Sequence, residues 1–147
     1  MQISIREARE SDYQAIGNLI KNELGYNDID FDRLLHRLEQ MKTSEHHATF
    51  VAVEKYQVLG FIGLLKYIAY EIDGYVRILA VAVSQEYQGK GIGSRLLEQA
   101  EQYARHNNIT QIMLTSNQSR LDTHRFYEKN GYTAESFGFF KTIDFSV

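Results

Sequence analysis

An apolar stretch, Ile78 to Val83, is followed by Gln88-Gly89-Lys90-Gly91-Ile92-Gly93, which opens an amphipathic segment running from Ile92 to Ala104. The order is strand, glycine turn, helix, and it restricts the chain to folds that mix the two element types. It also builds an anion site from backbone alone. Alternating glycines let the chain turn tightly and let a ligand approach without meeting a Cβ. The first amide N–H groups of a helix lack intrahelical partners and sit at the positive end of its dipole. A phosphate or pyrophosphate is the natural occupant. Two familiar nucleotide loops fail on spacing. A dinucleotide turn needs G-x-G-x-x-G, yet Ser94 stands three places after Gly91. A Walker A loop ends in G-K-[ST], whereas Lys90 is followed by Gly91. The pattern that remains is Q-x-x-G-x-G, carried by Gln88, Gly91 and Gly93.

The 147 residues suffice for one domain with one core. A hydrophobic share of 44% and a charged share of 24% are those of a globular chain. Nothing approaches the ~20 apolar residues of a membrane span or the pattern of a signal peptide. The sequence contains no cysteine, which excludes a disulfide framework, a thiolate metal site and a cysteinyl intermediate. A formal net charge of −3 gives no support for nucleic acid as the main partner. His46 and His47 are adjacent and face opposite ways in a strand, so no metal site is expected. These features predict a cytoplasmic protein.

Ile3 and Ile5 start a short strand, and Ser11 is placed to cap a helix carrying Ile16, Leu19 and Ile20, closed by Gly25. Phe31, Leu34, Leu35, Leu38 and Met41 form a 3.6-residue stripe on a second helix, which Asp30 can cap. Thr49 to Val53 and Val58 to Tyr70 read as strands joined by a turn at Glu54-Lys55. A turn from Glu71 to Gly74 leads into a strand from Tyr75 to Ser84. There Leu79, Val81 and Val83 alternate with Ile78, Ala80 and Ala82, and a strand apolar on both faces belongs in the middle of a covered sheet. A helix from about Gly91 to Arg105, a strand from Gln111 to Thr115 and a short helix follow. Ser119 and Asp122 have capping spacing for that short helix, and Gly131 closes it. Tyr132 to Phe137 and Phe139 to Phe145 read as a final hairpin bent at Gly138. The fold class is α/β or α+β, a mixed central β-sheet flanked by about four helices.

The loop Q-x-x-G-x-G resembles the acyl-CoA pyrophosphate loop, [RQ]-x-x-G-x-[GA], of the GNAT superfamily of N-acetyltransferases. A second block is similar to the same family's late motif: Leu114-Thr115-Ser116-Asn117, then Arg120, then His124-Arg125-Phe126-Tyr127-Glu128-Lys129-Asn130-Gly131-Tyr132. The resemblance implies one N-acetyltransferase domain over residues 1–147, using acetyl-CoA as acyl donor. It implies that Gln88 and the amides of Gly89, Lys90, Gly91, Ile92, Gly93 and Ser94 hold the pyrophosphate. By the same resemblance Val81, Ala82 and Val83 offer backbone groups to the pantetheine arm, Asn117 bonds the cofactor, and Tyr127 donates a proton to the departing thiolate. A thiol pKa near ~8.5 and a phenol pKa near ~10 are close enough for that transfer. Three positions depart from the family pattern: Gln85 where Pro is frequent, Thr123 where Ala commonly precedes the His, and Gln88 in place of the more usual Arg.

The acceptor implied is a primary amine of a small molecule or peptide, attacking directly in a ternary complex. An amine of pKa ~10.4 is uncharged in about one molecule in 2,500 at pH 7, a deficit of roughly 4–5 kcal/mol that a base would partly relieve. Glu71, Asp73 and Glu54 are the carboxylates considered for that role, and each also suits an ordinary charged turn. The segment from Glu23 to Asp32 carries carboxylates and two aromatics, fitted either to attract a cationic amine or to form a solvated loop. The aromatic C-terminal segment suits a homodimer edge or core. A catalytically silent acyl-CoA-binding regulatory module is the alternative function.

Overall fold

Strand β1 (Ser4–Glu7) opens the chain and leads through a 3-10 turn at Glu10–Asp12 into helix α1 (Tyr13–Asn22). Helix α2 (Phe31–Thr43) follows, then strands β2 (His47–Glu54), β3 (Gln57–Tyr67) and β4 (Tyr75–Val83). A second 3-10 turn, Gln85–Tyr87, precedes helix α3 (Ile92–His106), and β5 (Ile112–Met113) and helix α4 (Leu121–Lys129) complete the elements. The computed structural model describes residues 1–116 and 118–146. It forms two compact units, Met1–Leu114 and Thr115–Val147.

In the first unit the five strands form one sheet in the order β1-β2-β3-β4-β5. Pairing is antiparallel throughout except for β4 with β5, which is parallel, so the sheet is mixed as expected. Strand alternation sends successive side chains to opposite faces. On one face Val51, Val53, Phe61 and Ala82 bury against Tyr13, Ile16, Leu19, Leu34 and Leu38 of α1 and α2. The other face packs on α3, whose Ile92, Leu96, Leu97, Ala100 and Ala104 are buried, and Phe50 meets Tyr103 edge-on. Gly60 of β3 is required there, because a Cβ would come within 2.8 Å of the Ala82 carbonyl oxygen and 3.2 Å of Leu96.

Two of the expected helix-end signals are present. Asp30 caps α2 by accepting from the Arg33 N–H at 3.2 Å, and Gly25 adopts φ +82 beyond the end of α1. Ser11, in contrast, does not cap α1; it lies inside the 3-10 turn. The turn is tied instead by Asp12, whose carboxylate accepts from the Arg9 N–H at 2.8 Å and from both Arg6 terminal nitrogens at 2.7 and 3.0 Å. Strand β3 stops at Tyr67 rather than Tyr70, since Ile68 and Tyr70 turn out to solvent.

Strand β4 differs in a way that matters for the site. The central strand of the sheet is β3, and Leu79 is 42% exposed, so the second half of β4 is not covered on both faces. A register shift opposite Gly63/Leu64 pairs Leu64 with Ile78 and Gly63 with Ala80, which leaves Leu79 as an extra, bulged residue. The bulge changes the phase of alternation. Ile78 lies on the same face as Val81 and Val83, not with Ala80 and Ala82, because their partners Leu64, Ile62 and Gly60 are spaced by two. Strand β5 is two residues long instead of five and pairs with β4 only at Val76 and Arg77.

In the second unit, α4 begins after Arg120, one residue later than a Ser119 cap would start it. Gly131, at φ +93, closes the helix, with the Tyr132 N–H donating to the Tyr127 carbonyl oxygen at 3.0 Å. The expected final hairpin is absent: described residues 132–146 contain no strand. Phe137, Phe139, Phe140, Ile143 and Phe145 are all exposed. An alternating aromatic pattern favours extended backbone, but a strand exists only where a neighbour completes its hydrogen bonds.

Candidate active site

The glycine turn sits between the C-terminal end of β4 and α3. Gly89 and Gly91 take φ of +77 and +83, the left-handed region where other residues are strained, and Gly91 is the N-cap of α3. No atom lies within 4 Å of where a Cβ would stand on either. The first helical bond of α3 is from the Arg95 N–H to the Gly91 carbonyl oxygen, at 3.1 Å. Among the described residues no backbone acceptor takes the amides of Gly89, Lys90, Gly91, Ile92, Gly93 or Ser94. Ile92 is 1% exposed and anchors the start of the helix in the core. Lys90 is exposed, with Nζ 5.4 Å from the centre of the Tyr87 ring. The result is a run of main-chain donors at a helix N-terminus, chemically suited to an anion.

Beside that turn the sheet opens. The Ser84 N–H donates to the Leu59 carbonyl oxygen at 2.8 Å. Bonded and non-bonded positions alternate in an antiparallel ladder, so Ala82 faces β3 as Ser84 does. The N–H and C=O groups of Val81 and Val83 therefore turn to the opposite side, where β5 no longer runs. Of these, the Val83 carbonyl oxygen accepts from Gln88 Nε2 at 2.9 Å. The Gln88 side chain, 3.4 Å from Glu23 Oε1 as well, thus braces the turn onto the strand end. A strand edge with free main-chain groups receives an extended, amide-bearing chain by the geometry of strand addition.

Tyr127 lies in the second unit, half-buried on α4. Its ring packs against Phe126 and, edge-on, against Tyr132, with centroids 5.4 and 5.9 Å away. Burial raises its pKa and the positive charge of Arg120 opposes part of the rise; the net direction is upward. The phenol is therefore held protonated at neutral pH, with no hydrogen-bond partner for its hydroxyl among the described residues. Asn117 lies outside the described residues. Among the described residues there is no grouping of three or more His, Cys, Asp or Glu side chains able to hold a metal ion. Sequence reasoning missed the Leu79 bulge and the Glu23 contact to the turn, neither of which leaves a local trace.

Comparison with known proteins identifies the family and the fold. The model of the Acetyltransferase (GNAT) family matches residues 4–132. The chain is 30% identical over 138 residues to the aminoalkylphosphonate N-acetyltransferase of Salmonella typhimurium, covering 93% of this chain and 86% of that one. A GNAT family acetyltransferase from Staphylococcus aureus superimposes with a TM-score of 0.79 at 29% identity, over 97% of this chain and all of that one. The AAC(6')-Iy enzyme, solved with a CoA-containing bisubstrate analogue, gives 0.87 at 15% identity over 98% of this chain and 100% of its own, a likeness of fold. The chain belongs to the GNAT acetyltransferase family and is an N-acetyltransferase by class. No helix among the described residues is long and apolar enough to cross a membrane.

Proposed function

We propose that this N-acetyltransferase uses acetyl-CoA to acetylate a primary amine of a small molecule or peptide, by direct attack in a ternary complex. The observation that carries the reading is the succession of two sets of main-chain groups without a backbone partner among the described residues: the open edge of β4 at Val81 and the Val83 N–H and, beyond one bonded 3-10 turn, the amides of residues 89–94. These groups match the two polar parts of CoA. The amides from Gly89 to Ser94 receive the diphosphate, and the edge of β4 aligns the amide-bearing arm. Gln88 supports the turn. When bound, acetyl-CoA supplies the activated acyl group. Tyr127 then serves as general acid toward the leaving sulfur, a role suited to a phenol kept protonated by burial.

The acceptor side is the connection between α1 and α2, where Asp28 and the exposed Tyr26 offer charge and a ring face to a cationic amine. Asp30 is committed to capping α2. Similarity to an aminoalkylphosphonate N-acetyltransferase supports a small-molecule amine. The whole chain acts as one acetyltransferase domain in the cytoplasm, with the exposed aromatics of residues 137–145 as the edge of a homodimer. The test is a panel of aminoalkylphosphonates, aminoglycosides, polyamines, amino acids and peptide N-termini, with acetyl-CoA and a thiol reagent reporting CoA release. Turnover on one class supports the reading. Tight CoA binding without turnover on any of them would favour the silent regulatory module.

A further inference from the structure

Glu23 is the C-cap residue of α1, where a negative charge faces the negative end of the helix dipole. Its local setting gives the carboxylate no reason to be there. Its distant contacts do. Oε2 accepts from the backbone N–H of Gln85 at 3.1 Å, and Oε1 lies 3.4 Å from Gln88 Nε2. Gln85 begins the 3-10 turn between β4 and the glycine loop, and the N-cap of that turn, Ser84, makes no side-chain capping bond. The carboxylate thus caps the turn from another element. Gln88 closes the circuit, since its Nε2 also donates to the Val83 carbonyl oxygen at 2.9 Å. One side chain on α1 therefore ties together the end of β4, the 3-10 turn and the first residue of the Q-x-x-G-x-G run.

We infer that Glu23 is a positioning residue: it clamps the Gln85–Gln88 turn to α1 and so holds the anion-binding amides in register with the open edge of β4. The inference rests on the acetyl-CoA reading given above and adds a residue to it. A clamp matters because, among the described residues, no backbone acceptor ties the amides of the glycine turn. Gly89, Lys90 and Gly91 are exposed, the two glycines have φ of +77 and +83, and Lys90 Nζ lies over the neighbouring Tyr87 ring. Freezing such a loop before the ligand arrives removes part of the entropy cost of binding. The contact also has a sign that a bare charge would not. A carboxylate near a diphosphate site repels the ligand through space, so a Glu23 without a clamping role would weaken CoA binding, and its removal would strengthen it.

Two conservative variants of the full chain separate these roles. Glu23→Asp keeps the charge and loses the reach; Glu23→Gln loses the charge and keeps an oxygen able to accept from Gln85. A hydrogen bond of ordinary net strength corresponds to roughly a twofold to tenfold change in affinity. By calorimetry, Glu23→Asp should weaken CoA binding about threefold to tenfold, whereas Glu23→Gln should stay within about twofold of wild type. KM for acetyl-CoA should follow the CoA dissociation constant, with kcat at saturation changing less than KM, a split that general loss of structure does not give. An Asp variant equal to wild type, or a Gln variant that binds CoA distinctly more tightly, overturns the clamp and leaves the acetyltransferase reading standing. A wild-type chain that does not bind CoA removes both.

Discussion

Replacing Gly91 by alanine tests the backbone geometry on which the anion site depends. Gly91 has φ +83 and no atom within 4 Å of its missing Cβ, so the substitution introduces no clash. What it introduces is conformational strain. A non-glycine residue in the left-handed region costs roughly 1–2 kcal/mol. Gly63 supplies the control, because its Cβ position is equally empty and its φ is not in that region. Gly63→Ala should be neutral, or stabilising by about 0.4–1 kcal/mol through the unfolded chain. The two variants should therefore differ by about 1–3 kcal/mol in urea unfolding. For a chain of this size each kcal/mol moves the thermal midpoint by about 2–4 °C. Strain at Gly91 is also relieved if the turn shifts, so CoA affinity measured by calorimetry should fall in Gly91→Ala and hold in Gly63→Ala. Equal stabilities and equal CoA affinities for the two variants would show that the left-handed turn is not what shapes the site.

Tyr127→Phe should lower kcat by about 10²-fold or more while leaving the CoA dissociation constant near wild type, since it removes a proton donor and little apolar surface. The protonated phenol is the active form and its pKa is raised, so wild-type kcat should hold through the ordinary phenol range near ~10 and fall only as pH rises through the raised value. A variant with full turnover would discharge Tyr127 from the chemistry. Asp12→Asn should destabilise the fold by about 1.5–3 kcal/mol at pH 7 by loosening the paired bonds from Arg6. Burial alone would raise the Asp12 carboxyl, but the Arg6 side chain and the Arg9 amide outweigh it and hold the pKa below the usual value. That contribution is complete above ~3.9 and is lost as pH falls through the depressed value, so the stability gap between wild type and variant should narrow in acid. A gap that is the same at pH 7 and pH 3 would mean that the charge is not what stabilises the turn.

What could be read from the residues was whatever depends on near neighbours. The glycine turn, the Asp30 cap and the stripe on α2 each declare themselves within a few positions, and the structure has all three. Features that need a second segment stayed hidden. The Leu79 bulge is invisible in a run where every residue is apolar, because a slip of one place changes no hydrophobic assignment. The C-terminal aromatics imitate strands, and nothing in their own order reveals that no ladder forms. Glu23 and Gln85 lie 62 residues apart, so the carboxylate looks like one more charge on an acidic connection. Tyr127 was legible as a motif member, but its raised pKa arises from burial that no linear pattern records.

The brevity of the β4–β5 pairing, two rungs and then a gap, has an evolutionary corollary. A grip made from peptide groups offers mutation almost nothing to delete, because every amino acid except proline brings the same donor and acceptor. Side chains lining such a mouth are free to diverge as acceptors change. The residues that drift cannot reach are those that bend the chain, the glycines and the bulge, and it is there that inheritance of donor binding would be written.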